Sequence, residues 1–96
     1  MSVYIDDMYR FPMGQFGRMK MSHMMADTEK ELHKMAFKIG VARKWCQHER
    51  LGQGYVHYDI AMSKRLLAVQ YGAIEISLKE MSTKAIEWRK QKAVNK

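Results

Sequence analysis

Ninety-six residues with a single cysteine, Cys46, leave this chain one hydrophobic core and no intrachain disulfide to hold it. The whole of residues 1–96 therefore reads as a single domain, with residues 89–96 expected as a frayed basic C-terminal tail. Paired-cysteine zinc sites are excluded by the same count. The apolar share, 47%, is high enough for a packed core, yet the longest apolar runs are fragments such as Leu66 to Val69. A bilayer crossing needs about 20 such residues, so no membrane association is expected. The opening Ser2 to Asp7 carries acids where a secretory leader would carry basic residues. The expected location is the cytoplasm.

Hydrophobic periodicity gives the elements. Val3 and Ile5 alternate with Tyr4 and Asp6, which predicts a half-buried first strand. Pro12, Gly14 and Gly17 punctuate a loop, and residues 17–21 predict a second short strand. Thr28 and Glu31 make a capping box ahead of Leu32, Met35, Ala36 and Ile39, and Gly40 supplies a left-handed stop, so a helix is expected there. Residues 41–47 suit a strand, residues 48–54 a polar loop, and residues 55–58 a short strand leading into a second helix. That helix would be capped by Asp59 or Ser63, run through Leu66, Leu67 and Val69, and stop near Gly72. Residues 73–77 predict a last strand. Ser77 and Glu80 then cap a third helix with the stripe Leu78, Met81, Ala85 and Trp88. The fold class is α/β: a small single-layer sheet of three to four strands, mixed or largely parallel, covered by about three helices.

Seventeen Lys and Arg against ten Asp and Glu give a net charge of +7, which favours anionic partners such as nucleotides or nucleic acid. Lys64 and Arg65 stand at the start of the second helix, where cations oppose the helix dipole and so call for another purpose. Free N–H groups there and two cationic side chains would converge on one phosphate, aided by Arg18; salt bridges to Asp59 or Asp27 are the structural alternative. Tyr4, Trp45, Tyr55 and Tyr58 are candidate stacking residues for a base, although aromatic residues are more often core. Methionines crowd the N-terminal third, where pliable thioethers suit an oligomer interface or an adaptable pocket.

Asp6 and Asp7 end the first strand, and ligands of open α/β sheets gather at the carboxyl ends of strands. Either acid could ligate magnesium or act as a base, or simply cap a turn. His23 with Asp27, and His57 with Asp59, pair imidazoles and carboxylates at short spacing. They would serve as metal ligands or a base with its orienting partner, or as helix caps and packing residues. No zinc motif such as HExxH is present, so no metal or other cofactor is expected of a binding module; a divalent metal belongs to the enzyme alternative.

The segments VYIDD, GRMKMSHMMADT, ELHKMAFKIG, VARKWCQ, HYDIAMSKR and GAIEISLKEM, in that order, resemble the family catalogued as domain of unknown function 4031, found in bacteria and their phages. The resemblance runs from Val3 to about Met81. It implies that Tyr4, Asp6, Asp7, Arg18, His23, Asp27, His33, Trp45, His57, Tyr58, Asp59, Lys64 and Arg65 fall on recurring motifs, a polar set that looks like a site. It also implies a small phage accessory protein. The leading expectation is a homo-oligomeric binding module that captures a nucleotide, as a counter-defence protein sequestering a signalling nucleotide would. Lys64, Arg65 and Arg18 would hold phosphate, Trp45 or Tyr58 would stack on the base, and His23, His57 and Asp59 would orient it. The first alternative is a metal-assisted phosphoesterase or nuclease using Asp6, His23, Asp27, His57 and Asp59. The second is a nucleic-acid- or protein-binding accessory factor using the basic third helix.

Overall fold

The computed structural model describes residues 2–47 and 56–94. Six strands and three helices follow one another as β1 (Val3–Ile5), β2 (Gln15–Phe16), β3 (Met19–Ala26), α1 (Glu29–Ile39), β4 (Cys46–Gln47), β5 (His57–Ala61), α2 (Met62–Gln70), β6 (Ile74–Glu75) and α3 (Leu78–Val94). The α/β expectation holds, with a sheet of six strands where three to four were expected. The sheet order is β4-β5-β3-β1-β6, and β2 pairs with β3 outside that path. Among the described residues only β1 and β6 run parallel; the pairs β1/β3, β2/β3, β3/β5 and β4/β5 are antiparallel, so the sheet is mixed but not largely parallel.

The extra strand content lies chiefly in β3. Its sequence, MKMSHMMA, alternates apolar and polar residues only from Met19 to Ser22, because both of its faces become buried toward Ala26. Cross-strand register defines those faces. Ile5 opposes Met24 and Met24 opposes Tyr58, placing Ile5, Met24 and Tyr58 on one face with Val3, Ala26 and Ile60. This face packs against α1 and α2 through Leu32, Met35, Ala36, Ile39 and Ala68. Thr28 caps α1 by accepting the Glu31 N–H, Glu29 and Glu31 complement the dipole at its start, and Gly40 closes it at φ 80°.

Tyr4 opposes Met25 on the other face, where α3 lies with Met81, Ala85 and Trp88 buried. The predicted capping box is reciprocal: Glu80 N–H donates to Ser77 Oγ at 3.0 Å, and Ser77 N–H donates to the Glu80 carboxylate at 2.9 Å. Asp7 accepts the Leu78 N–H at 2.8 Å and ties the start of α3 to the end of β1. The helix extends through Val94, into the segment expected to fray.

Two helix-start expectations are corrected. Asp59 lies inside β5 and Ser63 inside α2; the N-cap of α2 is Ala61, with no side-chain cap, because β5 passes directly into the helix. The strand expected at residues 55–58 is displaced to His57–Ala61, and residues 41–47 form a 3-10 turn over Arg43–Trp45 before two strand residues. The polar loop expected at residues 48–54, and Tyr55, lie outside the described residues. Among the described residues, no helix is long and apolar enough to cross a membrane.

Candidate metal centre

Helix α3 covers its face of the sheet only toward β1, so the far part of the same face stays open. Going along β3, Met19 is exposed, Met21 and His23 are half-buried, and Met25 is buried. Register places His23 opposite Asp59, and alternation along β5 places His57 beside Asp59 on the same face. Two adjacent antiparallel strands thus bring His23 together with His57 and Asp59, the last of them 36 residues away in sequence.

The His57 Nε2 lies 3.5 Å from Asp59 Oδ1, and the His23 Nε2 lies 3.8 Å from the same oxygen. The two imidazoles meet edge to face at 5.2 Å between ring centroids. One ligand atom from each of the three residues lies within 4.8 Å of the other two. In a tetrahedral zinc site with bonds near 2.0–2.1 Å, donors sit roughly 3.3–3.5 Å apart, so the two Asp59 distances nearly fit already while the two imidazoles have further to close on an ion. Asp59 Oδ1 is itself buried and accepts no hydrogen bond among the described residues. A buried carboxylate oxygen facing two imidazole nitrogens without a hydrogen bond is the arrangement a cation would satisfy.

Asp6 stands behind His23. Its side chain is fully buried: Oδ2 lies 2.7 Å from His23 Nδ1, while Oδ1 accepts the N–H groups of His23 at 2.9 Å and Met8 at 3.1 Å. The carboxylate fixes the ring through Nδ1 and turns Nε2 toward Asp59, the second-sphere pattern of carboxylate, histidine and metal. Burial of the His23 ring works against its charged form. The Asp6 hydrogen bond and charge, together with the Asp59 charge, outweigh that cost and raise its pKa above the usual histidine value. The same negative potential attracts a metal cation, which competes with the proton for the ring nitrogen.

Other expected site residues are placed elsewhere. Tyr58 is fully buried on the opposite face, its hydroxyl 2.8 Å from His33 Nδ1, so it cannot stack on a ligand; strand alternation separates it from its neighbours His57 and Asp59. Asp27 accepts the Ser2 N–H at 2.8 Å and lines a separate cleft with Lys84 and Glu87, and is not gathered with the histidines. Lys64 and Arg65 diverge, as successive helix residues do. The Lys64 ammonium reaches Gly40 at the end of α1, where an added Cβ would come within 3.2 Å of it. Arg65 turns inward, donates to the Asp6 carbonyl at 3.1 Å and the Glu75 carboxylate at 2.8 Å, and lies over Tyr9 at 4.8 Å. Its cost at a helix start is thus met by β1 and β6 rather than by a phosphate. Arg18 is exposed in the β2–β3 turn, and Trp45 is exposed at the sheet edge beside Asp59.

Sequence reasoning missed the partners: Glu75 and Tyr9 for Arg65, and Phe16 beside Met19 and Met21 next to the trio. No spacing signal could have found Glu75, but methionine density in the N-terminal third did mark Met19 and Met21.

Among known proteins, the model of a family described as "Protein of unknown function (DUF4031)" matches residues 3–88. No curated protein and no solved structure matches.

Proposed function

Since the chain belongs to DUF4031, a family without a described activity, its chemistry has to come from the site, and we propose that it is a metal-dependent phosphoesterase. The observation that carries this reading is the His23–His57–Asp59 trio around a buried carboxylate oxygen that accepts no hydrogen bond, with Asp6 orienting His23. Two imidazoles and one carboxylate suit zinc, manganese or iron(II) and leave coordination positions for water and substrate. A divalent ion there would polarise a phosphoryl oxygen and lower the pKa of a water.

The chain's own residues do the rest. Asp6 fixes the His23 ring by two hydrogen bonds, to the ring and to the backbone, so that Nε2 needs no reorientation. His57, almost fully buried, supplies a donor in a low-dielectric wall, where charge interactions are strong. The net charge of +7 favours anionic substrates in general, which supports a phosphoester over a neutral substrate.

The test is metal content and turnover of the purified chain. Elemental analysis after loading with zinc or manganese should give near one ion per chain, and hydrolysis of bis(p-nitrophenyl) phosphate should appear with metal and vanish with chelator. Asp59→Asn and His57→Ala should lose both. A chain that retains no ion at micromolar metal overturns the proposal, and an ion without turnover reduces it to a metal-binding module.

A further inference from the structure

An apolar cleft of about 340 Å³ adjoins the trio and shares Asp59 with it. Its wall is formed by Phe16, Met19, Met21 and Trp45. Register makes the two sites continuous: Phe16 opposes Met19, Met21 opposes Ala61, and the next pair on that face is His23 with Asp59. Phe16, Met19 and Trp45 are each at least half exposed (53%, 50% and 61%), a concentration of solvent-facing apolar surface that folding alone does not call for.

Resting on the phosphoesterase reading, we infer that this cleft is the base subsite of a nucleotide substrate whose phosphate lies at His23, His57 and Asp59. Its volume falls at the lower end of the about 300–1,000 Å³ found for small-molecule sites, which suits one nucleotide unit and not a folded partner. Trp45 offers an indole for stacking, and the Lys44 ammonium lies 5.4 Å from that ring, so a cation accompanies the stacking surface. That pairing of aromatic surface and positive charge matches a ligand with a flat base and an anionic tail. Two methionines in the wall conform to purines and pyrimidines alike, so the subsite senses the presence of a base more than its identity.

The test is binding, read by tryptophan fluorescence and equilibrium dialysis on zinc-loaded protein, with AMP, CMP, ribose 5-phosphate and inorganic phosphate as probes. Trp88, on α3, is buried, so quenching reports mainly on Trp45. AMP and CMP should bind about tenfold more tightly than ribose 5-phosphate in the native chain and in Trp45→Phe, and this gap should close in Trp45→Ala. The exposure of Trp45 leaves the fold of that variant intact, which a melting curve checks. Equal binding of AMP and ribose 5-phosphate overturns the base subsite, even where metal loading and phosphoester hydrolysis succeed. A Trp45→Ala chain that instead changes its sedimentation from dimer to monomer also overturns it, because the cleft is then a self-association face. Failure of the phosphoesterase reading has a different signature: no metal retention, irrespective of Trp45.

Discussion

The Asp6 carboxylate grips His23 twice, through the ring Nδ1 at 2.7 Å and the backbone N–H at 2.9 Å, across a gap of 17 residues. One buried side chain therefore sets both the end of the β1/β3 pairing and the orientation of an imidazole. Asp6→Asn keeps the shape but weakens the charge and one acceptor. Zinc affinity should fall about 10–100-fold, measured by competition with a chromophoric chelator. Unchanged affinity would leave Asp6 as a strand-end anchor alone.

Metal should stabilise the native chain by mass action. At a free zinc concentration about 100 times Kd the gain is about 2.7 kcal/mol, visible as a rise in melting temperature. Asp59→Ala removes the shared ligand oxygen and should melt near the metal-free native chain while showing no zinc-induced rise. A rise of the same size in that variant would place the ion elsewhere.

Arg65 is a structural cation. Its contact with Glu75 is half exposed and contributes little, but the bond to the Asp6 carbonyl is buried. Arg65→Ala should cost about 1–3 kcal/mol in urea unfolding, and Glu75→Ala much less. Lysine should not restore the loss, because one ammonium cannot reproduce the fork that serves two acceptors and stacks on Tyr9. Full stability in Arg65→Ala would return this residue to the pool of ligand-binding cations.

Gly14 lets the loop after β1 lie against β3. A Cβ there would collide with the backbone oxygens of Met8 and Met21, neither of which is a flexible chain end. Gly14→Ala should destabilise by about 1–3 kcal/mol in chemical denaturation, whereas Gly→Ala exchange at a site with open space and ordinary φ would not. A neutral result would mean that the loop lifts away without cost.

Glu80 accepts the Ser77 N–H at the start of α3, and that bond holds its carboxyl below the usual glutamate range. A folded-state pKa below the unfolded one means stabilisation present above the unfolded value and lost as pH falls toward the folded one. Acid titration of unfolding should show this loss in the native chain, and Glu80→Gln should remove that part of the pH dependence. Because Glu80 is fully exposed, the effect is small; a steeper pH dependence in Glu80→Gln would contradict the assignment.

Where information was local, the sequence was readable. Thr28 with Gly40 delimits α1, Ser77 with Glu80 opens α3, and Val3 with Ile5 marks β1, since each signal depends on residues within one turn or one strand. Strand β3 was read only in its first part, because a strand buried on both faces carries no alternation, and its methionines suit helix and strand alike. Asp59 looked like a helix cap because β5 joins α2 without a loop. Lys64 and Arg65 read as a phosphate clamp because their dipole penalty was visible while the remedy, Glu75 and the Asp6 carbonyl, lay on other strands.

The residues by themselves therefore determined the α/β class, both ends of α1, the start of α3 and the roster of ionisable groups, all set by short-range periodicity, capping and composition. Only tertiary structure decided which of those groups share a site. Pairing β3 with β5 brings His23 opposite Asp59, and the pleat sends His57 to that face and Tyr58 to the other. A one-residue shift in register would exchange the faces and scatter the trio, and nothing local to His23 or Asp59 encodes that register.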